Sequence, residues 1–240
     1  MRTILTIIFL ALFFLLTYPL LGIEWIISKF KPKHTDIVQL RIVQVALRCV
    51  EFISGMNITV KGKENIPKDE AVLYVSNHRG FYDIVITYSR VPDLTSFISK
   101  DSIGKVPFLR LWMKRLHCLF LKRDDLKQGM QVILKAIDNI KNGISICIFP
   151  EGTRSKEKDP SKLGTFKEGS FKIASKTKCK IVPIAITGTD DVFENHFPWI
   201  KKANVTLTFG EPIDTSSLSK EELKHLGAHC QGIIQNMLKS

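Results

Sequence analysis

The 240-residue sequence has only five cysteines and lacks the sequence motifs that cysteine-based and serine-based sites usually carry. Its five cysteines are widely spaced and form no C-x-x-C pair, so neither a zinc ribbon nor a disulfide framework is indicated. Reduced thiols in a cytosolic compartment are the simplest interpretation. No G-x-S-x-G sequence occurs, so the sequence does not indicate a serine nucleophile. Internal repeats and low-complexity segments are missing as well.

Acidic residues are scarce relative to basic ones. The chain has 35 Lys and Arg residues against 23 Asp and Glu residues, which gives a formal net charge of +12. Such an excess suits an anionic partner, which could be nucleic acid, an anionic bilayer surface or a phosphorylated substrate. No nucleic-acid motif or arginine-rich tract accompanies the charge, so we expect no nucleic-acid partner. We expect Trp112 and Trp199 to be core residues or interface anchors rather than platforms for stacked bases.

Charge is also absent from residues 3–23, which contain the apolar run 4–21. A helix of this length reaches across most of a hydrocarbon core of roughly 30 Å. A cleaved signal peptide is the competing interpretation, but the run is longer than a usual signal core and no A-x-A-like cleavage site follows. Trp25 and then Lys29, Lys31 and Lys33 form an aromatic and basic flank. We therefore predict an uncleaved anchor that either crosses the bilayer or inserts into one leaflet.

A second apolar segment, residues 37–56, carries polar side chains three or four positions apart, which predicts an amphipathic helix. This helix could pack on the rest of the protein or lie in the membrane interface. We therefore divide the chain into membrane-anchoring helices at 1–56 and a second domain at 57–240. We expect a cell-membrane location with the second domain facing the cytoplasm.

From residue 57 onward, short β-branched runs alternate with helical patterns. Six strands are predicted, at residues 71–75, 95–99, 118–121, 144–149, 181–187 and 205–209. Helices are predicted at 103–116 and 126–142, and a helical pattern also covers 220–239. This alternation predicts an α/β fold with a mixed, largely parallel sheet flanked by helices, with ligands gathering at the strand ends.

His78 and Asp83 follow directly on the first predicted strand. Five residues apart, they face opposite sides of a strand and diverge on a straight helix, so they meet only across a turn, which Gly80 allows. Asp83 could then accept a hydrogen bond from one imidazole nitrogen and leave the other nitrogen basic. The alternative is a surface histidine with a helix-capping aspartate.

Other strand ends carry charged residues too. Lys100 follows the strand 95–99, Arg123 follows 118–121, and Glu151 and Arg154 follow 144–149. Burying a carboxylate and an arginine together is unfavourable unless the two form an ion pair or bind a ligand. The planar guanidinium of an arginine matches the geometry of phosphate oxygens. A strand-end turn with a local ion pair is the alternative for 149–155. Taken together, the strand ends predict one composite site.

Four motifs, in this order, resemble those of the glycerolipid acyltransferases, most closely the bacterial-type 1-acylglycerol-3-phosphate (lysophosphatidic acid) acyltransferases. They are Asn77-His78-x-x-x-x-Asp83, Phe120-x-x-Arg123, Phe149-Pro150-Glu151-Gly152-Thr153-Arg154-Ser155 and Val182-Pro183-Ile184. The resemblance covers roughly residues 62–212. Two positions depart from the pattern, because His117 and Arg110 stand where the family often has glycine.

The resemblance implies transfer of a fatty acyl group from acyl-CoA or acyl-carrier protein to the free sn-2 hydroxyl of lysophosphatidic acid, giving phosphatidic acid in phospholipid synthesis. His78 would be the base and Asp83 would orient it. The implied substrate-binding residues are Asn77, Lys100, Arg123, Glu151, Gly152, Thr153 and Arg154. In this family the lysine at position 100 is suspected of helping to stabilise the oxyanion. Membrane lipids would be partners, and no cofactor is implied beyond the acyl donor.

Alternatives remain within and outside this chemistry. The acceptor could be glycerol 3-phosphate or another lysolipid, or the protein could be a lipid thioesterase or hydrolase in which His78 activates water. A non-catalytic lipid-binding protein is a further alternative, although it would be favoured by loss of His78, Asp83 or Glu151, and all three are present. His225 and His229 have a zinc-like spacing, but no third ligand is evident, so we expect no metal.

Overall fold

A seven-stranded sheet forms the centre of the protein in the computed structural model, which describes residues 1–122, 124–157, 159 and 161–239. The strand order is β1-β7-β6-β2-β5-β3-β4. The five strands from β6 to β4 are mutually parallel, whereas β7 is antiparallel to β6 and β1 is parallel to β7. The predicted mixed, largely parallel sheet is therefore confirmed. The strands are β1 (Asn57–Lys61), β2 (Leu73–Ser76), β3 (Thr95–Lys100), β4 (Leu119–Leu121), β5 (Ser145–Ile148), β6 (Ile181–Thr187) and β7 (Asn204–Phe209).

Seven α-helices accompany the sheet in the described part of the chain. They are α1 (Arg2–Ser28), α2 (Pro32–Ser54), α3 (Tyr82–Tyr88), α4 (Pro107–Arg115), α5 (Leu126–Lys141), α6 (Lys172–Thr177) and α7 (Leu226–Met237). One hydrophobic cluster joins α2 and α3 to one face of the sheet, and a second joins α5, α6 and α7 to the other face. Both faces of the parallel strands are therefore buried, as their continuous apolar runs require.

Apart from small shifts in their bounds, the predicted elements match the observed ones with four differences. The two short helices α3 and α6 lie where the sequence pattern predicts no helix. Strand β1 was not predicted, because its sequence Asn57–Lys61 is mostly exposed at the sheet edge and carries no apolar run. The predicted helix 103–116 is a 3-10 turn, Asp101–Lys105, followed by α4, because Pro107 occupies the first position of a new helix. The predicted pattern 220–239 likewise divides into a 3-10 turn, Glu222–Lys224, and α7.

Helices α1 and α2 form an antiparallel hairpin that lies against the sheet domain. Leu40 and Val50 of α2 belong to the same buried cluster as the sheet, and Phe9 of α1 packs against it. Further along α1, the ring of Phe13 lies 5.6 Å from that of Trp112 in α4. Helix α1 is long and apolar enough to cross a membrane, judged by length and composition. The division at residue 56 stays a prediction, since both helices share the core of the domain.

His117 explains one departure from the family pattern. Its φ of +57° lies in the left-handed region, where glycine is the least strained residue. His117 adopts this conformation between α4 and β4, where its backbone carbonyl accepts a hydrogen bond from the Ser96 hydroxyl at 2.6 Å. Its ring Nε2 lies 3.1 Å from Asp36 Oδ2. Histidine is thus tolerated at a position whose backbone favours glycine.

Candidate active site

Three neighbouring parallel strands, β6, β2 and β5, bring the main residues of the site together. His78 follows β2, Glu151 follows β5 and Thr189 follows β6, and β2 lies between the other two. The carboxyl ends of parallel strands lie at one edge of a sheet, and ligands of α/β proteins gather there. The predicted clustering of strand-end residues is therefore observed for β2 and β5, and β6 adds residues that the sequence did not single out.

The turn between β2 and α3 brings His78 and Asp83 into contact. Asp83 lies in the first turn of α3, and its backbone N–H donates to the carbonyl oxygen of Gly80 at 3.2 Å. His78 Nδ1 then lies 2.7 Å from Asp83 Oδ2. Because a carboxylate oxygen only accepts hydrogen bonds, the Nδ1 atom carries the proton and Nε2 keeps a free lone pair. The predicted pairing across a turn is what the geometry shows.

Asp83 is fully buried and its carboxylate accepts hydrogen bonds on both oxygens. Besides His78, Oδ2 accepts from the backbone N–H groups of Arg79 at 2.7 Å and Gly80 at 2.8 Å. Oδ1 accepts from the Thr189 hydroxyl at 2.5 Å. These four donors satisfy a buried carboxylate that would otherwise be costly to desolvate. They also fix the carboxylate against the imidazole, so the tautomer of His78 is set by a rigid partner.

The imidazole of His78 is held from a second side by an aromatic ring. It stacks on Phe149, with the ring centroids 4.2 Å apart and the ring planes inclined by 23°. The side chain of His78 retains 15% exposure. An oriented ring with a free nitrogen and limited access to solvent is the arrangement that a general base requires.

Glu151 ties the loop after β5 to the turn between β2 and α3, called the catalytic turn below because it carries the candidate base His78. Its Oε1 accepts from the backbone N–H of His78 at 2.9 Å, and its Oε2 accepts from the backbone N–H of Gly164 at 2.9 Å. In return, the N–H of Ser155 donates to the carbonyl oxygen of His78 at 2.7 Å. The burial of Glu151 raises the pKa of its carboxyl above the ordinary value near 4.5, while the two N–H donors oppose that rise.

The raised pKa of Glu151 gives a pH-dependent prediction for stability. The folded state binds this proton more readily than the unfolded state does, so the contribution of Glu151 to stability is fully present below about pH 4.5 and falls as the pH rises through the raised pKa. We therefore expect the stability of the wild type, relative to Glu151→Gln, to fall between pH 4 and pH 7. Thermal unfolding of both proteins in detergent across this range measures the difference.

The matched control for that comparison is Glu211→Gln, because Glu211 is exposed. Its stability difference from the wild type should not vary in the same way across the pH range. A difference between wild type and Glu151→Gln that stays constant from pH 4 to pH 7 would contradict the assigned burial of the charged carboxyl.

Arg154 reaches the catalytic turn from the loop after β5. Its guanidinium carbon lies 4.1 Å from the centroid of the Phe81 ring, and its Nη1 donates to Glu194 Oε1 at 2.8 Å. The same Glu194 oxygen accepts from the Phe81 N–H at 2.8 Å. Gly80 permits this approach, because a Cβ atom there would lie 2.7 Å from Glu194 Oε2. Arg154 is 40% exposed, so its guanidinium is oriented and still accessible.

The other predicted substrate-binding residues occupy different environments. Asn77 is fully buried, and its amide exchanges two hydrogen bonds of 2.8 Å with the backbone of Ile186. This geometry favours a role in joining β2 to β6, and contact of Asn77 with substrate stays a prediction. Lys100 is exposed at the end of β3, Thr153 is exposed in the loop after β5, and Arg123 lies outside the described residues.

A groove of about 690 Å³ opens beside the loop after β5. Glu151, Thr153 and Arg154 line one side, and Gln231 and Gln235 of α7 line the other. Gly152 takes a left-handed φ of +73° there, which glycine adopts without strain. Thr153 and Arg154 of the predicted Glu-Gly-Thr-Arg motif thus face open space of ligand size, whereas Glu151 is largely buried.

Sequence reasoning missed three residues of the site, all after β6: Thr189, Asp190 and Glu194. Asp190 Oδ2 accepts from Arg79 Nη2 at 2.7 Å and from Arg79 Nε at 3.0 Å, so it fixes the side chain next to His78. The signal that could have found these residues is their position, since β6 is a predicted strand and its carboxyl end lies at the same sheet edge.

No group of three or more His, Cys, Asp or Glu side chains that could hold a metal ion occurs among the residues that the structure describes. His225, which has a zinc-like spacing with His229, lies 3.5 Å from Glu221 Oε1 on an exposed surface. Independently of this, the His78–Asp83 pair suits acid–base chemistry, and the oriented guanidinium of Arg154 suits recognition of an anion.

Comparison with known proteins places this geometry in a family. A family model described as Acyltransferase matches residues 57–187, which is more than half of the chain. A chloroplastic 1-acyl-sn-glycerol-3-phosphate acyltransferase of Arabidopsis thaliana is 35% identical over 161 residues, covering 66% of this chain and 44% of that protein. The 1-acyl-sn-glycerol-3-phosphate acyltransferase of Borreliella burgdorferi is 29% identical over 185 residues, covering 77% of this chain and 73% of that protein. The match thus spans less than half of the plant relative.

A solved structure has the same fold along the whole chain. The crystal structure of the 1-acyl-sn-glycerophosphate acyltransferase from Thermotoga maritima aligns with a TM-score of 0.78 and 26% sequence identity. The alignment covers 100% of this chain and 97% of that one, so it includes helices α1 and α2. The family match contains His78, Asp83, Glu151 and Arg154, which the fold brings to one sheet edge. The chain belongs to the acyltransferase family.

Proposed function

We propose that the protein transfers a fatty acyl group from a thioester donor to the free sn-2 hydroxyl of lysophosphatidic acid, giving phosphatidic acid. The observation that carries this proposal is the His78–Asp83 pair at 2.7 Å beside an oriented, accessible Arg154. A base next to a phosphate-binding cation suits an acceptor that carries both a hydroxyl and a phosphate. The names of the relatives from Arabidopsis thaliana and Borreliella burgdorferi support the same acceptor.

The free Nε2 atom of His78 would start the reaction by taking the proton of the acceptor hydroxyl. The hydroxyl oxygen would attack the thioester carbonyl carbon and give a tetrahedral oxyanion. Collapse of this oxyanion would break the carbon–sulfur bond, and the departing thiolate would take the proton back from His78. Atoms and charge balance without an acyl-enzyme and without a cofactor. Acyl-CoA and acyl-carrier protein are both suitable donors, because each presents a thioester.

Charge stabilisation is divided among several groups in this proposal. Asp83 would stabilise the imidazolium form of His78, and Arg154 would hold the acceptor phosphate near the catalytic turn. We assign oxyanion stabilisation to Lys100 as a proposal, supported by the exposure of its side chain at the end of β3. General base catalysis contributes about 10²–10⁴ and an oxyanion donor about 10²–10³ to the rate.

Glu194 is expected to act through Arg154, so its replacement should affect acceptor binding more than turnover. We expect Glu194→Ala to raise the KM for lysophosphatidic acid about tenfold, with a smaller change in kcat, because it removes a charge-assisted hydrogen bond to Arg154 and the acceptor of the Phe81 N–H. Initial rates at varied acceptor concentration measure both constants. Glu194→Gln should recover part of the effect, since its amide oxygen still accepts.

The matched control for Glu194 is Glu70, which pairs with Lys180 at 2.8 Å on the surface. Removing this exposed ion pair through Glu70→Ala should leave KM and kcat unchanged. Equal effects of Glu194→Ala and Glu70→Ala would remove Glu194 from the positioning of Arg154.

The fate of a labelled acyl chain tests the proposed reaction itself. Purified protein is given acyl-CoA with a labelled chain, with and without lysophosphatidic acid, and the products are separated. The proposal expects labelled phosphatidic acid that depends on the acceptor. Labelled free fatty acid formed without an acceptor would indicate a thioesterase or hydrolase, and lipid binding without turnover would indicate a non-catalytic protein. Glycerol 3-phosphate and other lysolipids serve as competing acceptors.

We further propose that the protein works at the cytoplasmic face of the cell membrane. Helix α1 is apolar along its length, and one side of it is exposed while the other packs on α2 and α4. Helix α1 contacts the rest of the domain from Thr3 to Leu21. Only the opposite side of the helix is therefore available to contact lipid, and no part of its length is surrounded by lipid. This supports insertion of α1 into one leaflet, parallel to the surface.

A further inference from the structure

A second recess lies at the end of the α1–α2 hairpin. It has a volume of about 580 Å³ and is lined by residues from the start of α1, the end of α2 and the segment before β7. Its apolar lining includes Leu5, Phe52 and Trp199, which are 46%, 86% and 55% exposed. Exposed large side chains around one recess are unusual on a water-facing surface and mark a contact site.

Two cations, Arg2 and Lys201, also line this recess. In the part of the chain that the structure describes, neither side chain makes an ion pair or a hydrogen bond. The Arg2 guanidinium lies directly over Gly55, where a Cβ atom would be 2.8 Å from Arg2 Nε. Gly55 has a left-handed φ of +72°, so this close approach uses a position that already favours glycine. The recess therefore combines two uncompensated positive charges with an apolar wall.

Hydrogen bonds join the two sides of the recess. The backbone N–H of Ile200 donates to Thr3 Oγ1 at 2.8 Å, so the segment that carries Trp199 and Lys201 is fastened to α1. An aromatic series leads from this segment to the catalytic turn, because Phe197 lies 5.4 Å from Phe193 and Phe193 lies 6.2 Å from Phe81 between ring centroids. Aromatic contacts thus connect the segment that lines the recess with the turn that carries His78 and Asp83.

We propose that this recess binds one anionic phospholipid of the bilayer, with the phosphate between Arg2 and Lys201 and the acyl chains against Leu5, Phe52 and Trp199. Phosphate suits two unpaired cations, and exposed aromatic side chains suit the boundary between headgroups and acyl chains. A soluble anion would use the cations but would leave the apolar wall in water. This inference rests on the proposed membrane location, and a lipid held here would keep the catalytic turn at the level of the acceptor phosphate.

Trp199 reports on the recess in the full-length protein. In a Trp25→Phe background the remaining tryptophans are Trp199 and the buried Trp112. We expect vesicles of phosphatidylcholine with phosphatidylglycerol to shift the Trp199 emission to shorter wavelength and to shield it from acrylamide. A variant that also carries Trp199→Phe gives the baseline and should show neither change.

Lys201 and Lys202 provide a matched pair of variants, because both are exposed and adjacent, yet only Lys201 lines the recess. The measured quantity is the preference for vesicles with phosphatidylglycerol over pure phosphatidylcholine. We expect Arg2→Gln and Lys201→Gln each to lower this preference about fivefold, and Lys202→Gln to lower it clearly less. Equal losses for Lys201→Gln and Lys202→Gln would overturn the proposal in favour of diffuse surface charge.

Further measurements separate other occupants and the catalytic proposal. Inorganic phosphate that reproduces the Trp199 change without vesicles would overturn the lipid assignment in favour of a free anion. Shielding of Trp199 that grows with protein concentration in detergent alone would overturn it in favour of a second copy of the chain. The fluorescence result stands whether or not the protein transfers acyl groups, and Lys201→Gln should keep the wild-type rate on a short-chain acceptor in detergent.

Discussion

Replacing His78 by Asn is expected to lower kcat for acyl transfer by at least about 10³, with little change in the KM for lysophosphatidic acid. Asn keeps an N–H donor that can face Asp83 but has no ring nitrogen to take the proton of the acceptor. His78 Nε2 accepts the proton of the acceptor hydroxyl only in the transition state. The variant therefore loses transition-state stabilisation and largely keeps the binding of the substrates. Initial-rate measurements with varied donor and acceptor separate the two constants.

The chain contains its own control for this variant. His117 also pairs with an aspartate, with its Nε2 3.1 Å from Asp36 Oδ2, but it precedes β4 and so lies at the opposite edge of the sheet. His117→Asn is the same chemical change, and Asn tolerates the left-handed backbone of this position. We expect it to leave kcat and KM unchanged. Near-normal turnover of His78→Asn would remove His78 from the mechanism.

The strands were predictable where both faces of the sheet are covered. Strand β6 was predicted with its observed bounds, 181–187, because a strand buried on both faces is apolar without interruption. The edge strand β1 carries no such signal, since four of its five residues are exposed. Its position beside β7 depends on pairing with residues about 150 positions away, from Asn57–Asn204 to Lys61–Thr208. The local sequence pattern of β1 does not indicate such a long-range pairing.

The site was predictable in part for a similar reason. His78 and Glu151 stand at the ends of strands whose apolar runs are visible, so their common location followed from a parallel sheet. Which strands are neighbours does not follow from the same pattern. The order β6-β2-β5 places Thr189 against Asp83, and this contact depends on a tertiary arrangement rather than on spacing in the sequence. Glu194 and Asp190 were missed because acidic residues in a loop carry no sequence signature of their own.

Replacing Asp83 by Asn is expected to lower kcat by about 10²–10⁴, again with little change in KM. The reason lies in the donors around the carboxylate. An Asn oxygen can take the place of Oδ2 and accept from His78, Arg79 and Gly80, and its NH₂ group then faces the Thr189 hydroxyl, which can accept as well as donate. The turn is expected to keep its shape, so the variant removes the negative charge and little else.

The control for Asp83→Asn is Asp36→Asn, which neutralises the aspartate beside His117 and should leave the rate unchanged. Thermal unfolding separates charge from structure. Asp83→Asn should unfold close to the wild type, whereas Asp83→Asn combined with Thr189→Val should lose about 1–3 kcal/mol, because the buried NH₂ group then has no acceptor. A large loss of stability in Asp83→Asn alone would contradict the assigned hydrogen bonds.

Combining the two site variants distinguishes a base from the group that positions it. If Asp83 acts through His78, then the double variant His78→Asn with Asp83→Asn should be no slower than His78→Asn alone, because an oriented charge has no effect once its imidazole is gone. Independent losses that multiply would instead require Asp83 to act directly on the substrate. The structure favours the first outcome, since Asp83 is fully buried and its contact with the exposed part of the site runs through the His78 ring.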